Sequence, residues 1–152
     1  MKPKSFMGIA YAMLGAAFAL AGPAHATLGE SAISVSHDVA SLRAVAHAAV
    51  VQAAYTVHEI TLASGTVVRE YVAPGGIVFG VAWEGPTLPD LKATLGAAFD
   101  QYVAANATRK ATPLAVSNND LVVYSGGHLR AFAGHAWLPR AVPAGVDVGV
   151  IQ

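Results

Sequence analysis

The chain has 152 residues, 55% of them hydrophobic and 12% charged, with nine basic and nine acidic residues and no cysteine. So balanced a charge excludes a strongly basic nucleic-acid binder, and so apolar a composition excludes a disordered acidic tail. The length allows one domain, and the missing cysteines exclude disulfide staples.

Residues 1–26 read as an address. Lys2 and Lys4 give a basic start, Phe6–Leu20 is an uncharged and largely apolar run, and Gly22-Pro23 breaks it before Ala24-His25-Ala26. This is the three-part plan of a secretory signal peptide cleaved after Ala26, and the run falls short of the about 20 residues of a spanning helix. The expected protein is therefore periplasmic or secreted, with no stable membrane insertion after processing. Export without cysteines fits a bacterial envelope.

The mature chain begins with an extended stretch, Thr27–Val35. Ser36 is suited to cap a helix over residues 37–45, with Val39, Leu42 and Val45 at helical spacing. The run 46–53 is open between helix, favoured by its alanines, and strand, favoured by Val50-Val51. Three β-rich runs then follow: Tyr55–Leu62, Thr66–Val72 and Ile77–Trp83. Their connections are so short that consecutive strands must be antiparallel, a β-meander. A two-residue Ser64-Gly65 loop would set Glu59 against Glu70, like charge on like. A three-residue loop, Ala63-Ser64-Gly65, sets Glu59 against Arg69 and His58 against Glu70, and it puts Gly65 where a left-handed residue is wanted. The second register is the expected one.

A helix over 89–105 comes next, with Thr87 as its cap and Pro89 in its first turn. Leu88, Leu91, Leu95, Phe99, Tyr102 and Val103 form one stripe, which must lie against an apolar surface. Leu114–Val116 is a short strand, and Ser117-Asn118-Asn119-Asp120 a turn. Leu121–Tyr124 and Leu129–Trp137 are strands. A Gly126-Gly127 hairpin turn between them would pair Ser125 with His128. The tail, 141–152, reads as irregular.

Two residue pairs carry possible chemistry. His58 and Glu70 have the composition of a dyad in which a carboxylate orients a general base; Ser125 and His128 have that of a nucleophile and its base. Each has a plainer reading: His58–Glu70 and Glu59–Arg69 as cross-strand pairs of a hairpin, and Ser125–His128 as the flanks of a tight turn. The five mature histidines, His37, His47, His58, His128 and His135, show no ligand spacing, so neither a metal nor another cofactor is expected.

The stretches YTVHEITLASGTVVREYV (55–72), VFGVAWEGPTLPDL (78–91) and SGGHLRAFAGHAWLP (125–139) together resemble a family of secreted proteobacterial proteins, domain of unknown function 2844. The similarity covers roughly residues 27–140. It implies export and one small domain, and it brings no activity, cofactor or catalytic residue.

The expected fold is α+β: an antiparallel meander sheet of about five or six strands, one amphipathic helix across it and a short N-terminal helix, in a single domain over 27–140. The expected function is non-enzymatic binding of a protein, peptide or small molecule through a sheet edge or loop face. The alternative is a hydrolase-like enzyme using His58/Glu70 or Ser125/His128.

Overall fold

The β-rich runs of the sequence become the middle of one antiparallel sheet. The computed structural model describes residues 28–107 and 113–152, and the predicted leader lies outside them. In chain order the elements are α1 (Ile33–Ser41), β1 (Ala44–Val51), β2 (Thr56–Leu62), β3 (Val67–Val72), β4 (Val78–Gly85), α2 (Leu91–Leu95), α3 (Ala98–Asn106), β5 (Leu114–Ser117), β6 (Val122–His128) and β7 (Ala131–Trp137), followed by a 3-10 turn, Val148–Val150. The sheet has seven strands in the order β1-β2-β3-β4-β7-β6-β5. The α+β class holds, and the strand count exceeds the five or six expected.

The extra strand is the ambiguous alanine run. Ala44–Val51 pairs along β2, with His47 opposite Ile60 and Ala49 opposite His58. Alanine favours helix weakly, and a ladder of backbone hydrogen bonds beside β2 outweighs that preference. The first helix is displaced accordingly. It spans Ile33–Ser41 rather than 37–45, so Ser36 lies inside it rather than at its cap, and Arg43 turns the chain out of it at φ 51°.

The meander register is the one that charge selects. Glu59 faces Arg69 and His58 faces Glu70, with Gly65 at φ 87° in the loop. The later hairpin differs from expectation. His128 pairs with Ala131 and Ser125 with Gly134, so the turn is Leu129-Arg130, not Gly126-Gly127. Arg130 takes a positive φ, 66°, in that turn.

The 89–105 helix is two pieces. Gly96, at φ 49°, breaks it between α2 and α3. Its cap is Asp90, whose Oδ1 accepts from the N–H groups of Lys92 and Ala93 at 2.9 and 3.1 Å. Thr87 is engaged elsewhere: its N–H donates to Thr66 Oγ1, and its hydroxyl donates to Ser64 Oγ. The break swings part of the stripe out of contact, so Leu95 and Tyr102 are buried while Leu88 and Val103 are about half exposed.

Both faces of the sheet are used. On the first, Val35, Leu95 and Tyr102 from the helices join Ile60, Val68, Val81, Trp83, Val116 and Val123 in the larger core. The indole of Trp83 lies over Gly134, where a Cβ would sit 2.3 Å from its Cζ2. On the second face Tyr71, Phe79 and Ala82 are covered by Ile151, with Val146, Val148 and Val150 beside it. The tail is tied down there, because the Tyr71 hydroxyl and Arg69 Nη1 both donate to the Gln152 carbonyl oxygen, at 3.1 and 3.3 Å.

Candidate functional site

Residues two apart on a strand share a face, so Ile60 and Val68 fix the side on which His58 and Glu70 stand. Both project from the face that carries the helices. Their neighbours come from elements that the hairpin alone does not contain. β1 brings His47, whose Nε2 lies 3.1 Å from His58 Nδ1 with the two rings 11° from parallel. α1 brings Asp38 down onto Glu70, and both carboxyl groups are buried.

Glu70 is 2% exposed. Burial, then a hydrogen bond with Asp38 and the charge of Asp38, push its pKa up to about 9. Its carboxyl is thus held towards the protonated form at neutral pH, against the Asp38 carboxyl group. A protonated acid cannot serve as the carboxylate that orients a histidine base. The His58/Glu70 dyad is not assembled; its two halves are adjacent in register and bonded to different partners.

His58 is held below its ordinary value of 6.5, by burial first and by His47 second. In the His47–His58 contact one ring donates and the other accepts, so it needs at least one neutral imidazole. The sign follows. The unfolded chain binds a proton at His58 more readily than the folded one, so this contribution is complete above pH 6.5 and is lost as pH falls towards the folded midpoint. His47→Ala should raise the His58 midpoint, read from the imidazole carbon shifts in an NMR titration. An unchanged midpoint would show that His47 does not bear on His58.

Ser125 and His128 fall apart. They stand three positions apart on one strand, so they point to opposite faces, Ser125 into the core and His128 into solvent. The nucleophile–base reading rested on a glycine turn that the chain does not make. The Glu59–Arg69 pair does form, at 3.1 Å and partly exposed. Such a pair contributes up to about 1 kcal/mol and joins two strands of the hairpin.

Other features emerge only in the fold. Tyr124, His135 and Trp137 stand together on the second face, with ring centroids 5.4 to 6.4 Å apart. An open crevice of about 300 Å³ runs along Glu84, Pro86, Arg130 and Phe132, and none of the four predicted residues lines it. Among the described residues no three His, Asp or Glu side chains are placed to share a metal, and no helix is long and apolar enough to cross a membrane.

The largest anomaly is β1 itself. A continuous apolar run belongs to a strand buried on both faces. Here AVAHAAVV lies at the sheet edge with Val45, Val50 and Val51 at 65, 52 and 80% exposure. The strand carries none of the Lys or Pro residues by which edges are blunted. Sequence reasoning missed Asp38, His47 and this edge together. The one signal for them was the β-branched pair Val50-Val51, set against alanines that pointed the other way.

Residues 24–151 match the family described as protein of unknown function, DUF2844. No curated protein and no solved structure matches the chain.

Proposed function

The chain belongs to the DUF2844 family of proteins of unknown function, and from that premise we propose that it is an exported, non-enzymatic envelope protein that binds another polypeptide along β1. One observation carries the reading: an eight-residue strand of Ala and Val with a single His, at the edge of the sheet and exposed on both faces. Its free N–H and C=O groups are a template for an added strand, and its small side chains leave the backbone accessible. The geometry of the polar pairs supports binding over hydrolysis. Ser125 and His128 lie on opposite faces, and the Glu70 carboxyl is sealed beneath α1.

A fluorescent peptide of the sequence Ala44–Val51 tests the edge. It should bind the protein saturably, and Ala48→Lys in the protein should weaken binding at least tenfold. Ala48 faces Glu59 across the ladder, so the new ammonium meets a carboxylate and the fold is retained. Binding that ignores Ala48→Lys, or no binding to either protein, would overturn the reading. Export is checked on the same material, since the intact mass of the purified protein should begin at Thr27.

A further inference from the structure

Strand addition acquires its selectivity from pockets that receive alternate side chains of the incoming strand. The crevice lined by Glu84 and Arg130 belongs to the β4–β7 end of the sheet, three strands from β1. The edge has no charge to steer a partner either. What fits it is a strand as small and uncharged as itself. Within β1 alanine and valine are arranged so that the strand meets that requirement against its own reversed copy.

Resting on the edge-binding reading above, we infer that the partner of β1 is a second copy of this chain, joined by antiparallel β1–β1 pairing about a two-fold axis through Ala48. The axis follows from symmetry. A two-fold relating antiparallel edges stands normal to the sheet and keeps each copy's faces on their own sides, so only residues of like face lie opposite one another. The central registers are then those that set His47 against His47 or Ala48 against Ala48. The first crowds two imidazoles already bonded to His58. The second sets Ala48 on Ala48, His47 against Ala49 and Ala46 against Val50, an alanine at each of these contacts, with Val45 against Val51 at the ends. Residues 46–50 form the centre of the pairing, and the exposed Val50 and Val51 each gain a neighbour. The two seven-stranded sheets become one continuous sheet, and the edge that lacks blunting residues is closed.

The chain has no cysteine, so one introduced thiol reports one position. Across an antiparallel pair the Cα atoms are about 4.5–5.5 Å apart, within disulfide reach. Ala48→Cys should therefore oxidise to a covalent dimer, while Val103→Cys, on the exposed side of α3, should remain monomeric under the same conditions. Sedimentation velocity of the unmodified protein should show a mass that doubles with concentration, and Ala48→Lys, which sets two ammonium groups face to face in the dimer, should sediment as a folded monomer with an unchanged circular dichroism spectrum. A parent protein that is monomeric at every concentration, or a dimer that survives Ala48→Lys, overturns the inference. A monomer that still binds the Ala44–Val51 peptide overturns the dimer and leaves the edge-binding reading standing; a monomer that does not bind it overturns both.

Discussion

Trp83→Ala should destabilise the domain by about 3–5 kcal/mol, the range for emptying a buried aromatic site. Trp83 is 1% exposed, projects from a central strand and occupies the space that Gly134 leaves open on β7. Gly134→Ala should be costly for the complementary reason, by about 1–3 kcal/mol, because its methyl group would stand 2.3 Å from the indole and 2.6 Å from the Tyr124 carbonyl oxygen. The two changes share one volume and so should not add. In the Trp83→Ala background the alanine at 134 meets empty space on the indole side, and its penalty should shrink markedly. Urea denaturation of the parent, both single variants and the double variant measures the coupling. Strict additivity would show that the indole and the glycine do not constrain each other.

Glu70→Gln should stabilise the protein at neutral pH and remove much of the dependence of its stability on pH. A carboxyl raised from 4.5 to about 9 is protonated in the folded chain and ionised in the unfolded one throughout that interval. The folded state binds the extra proton, so stability falls as pH rises from about 4.5 to 9, and at pH 7 the buried acid costs about 3 kcal/mol. Glutamine keeps the shape and can donate to Asp38 through its amide N–H without a proton to lose. The variant should be about 2–3 kcal/mol more stable than the parent at pH 7 and should lose that slope. What remains is the opposite contribution of His58, whose lowered value makes stability rise with pH up to 6.5. Thermal melts of both proteins between pH 5 and 9 decide the matter, and a variant that keeps the parent's slope would place it on another group.

These two sites show how unevenly the fold was legible. The β2–β3 hairpin could be read to the residue because a one-residue slip would set Glu59 on Glu70, a local penalty visible in eighteen contiguous residues. The β6–β7 hairpin could not. Gly126-Gly127 satisfies the local rules for a tight turn, yet the chain carries strand β6 straight through it and turns at Leu129-Arg130. That register sets Gly134 under Trp83 and Ala136 in the core beside Val123. Core packing across β4, β7 and β6 therefore overrides the turn preference. The 89–105 helix shows the same competition. Its apolar stripe was legible in part: Leu95 and Tyr102 are buried in the core, while the break at Gly96 leaves Leu88 and Val103 about half exposed.

By itself the amino-acid order determined the α+β class, the central meander with its charge-selected register, and the apolar helical segment that the sheet must receive. All of these depend on periodicity and on neighbours close in sequence. Tertiary structure alone decided that Ala44–Val51 is an edge strand, that Asp38 and Glu70 are buried together, that His47 rather than Glu70 partners His58, and that Ser125 and His128 never meet. Each of those outcomes depends on which elements lie side by side, and burial and pairing across the sheet outweigh the few tenths of a kcal/mol by which a local propensity favours one conformation over another.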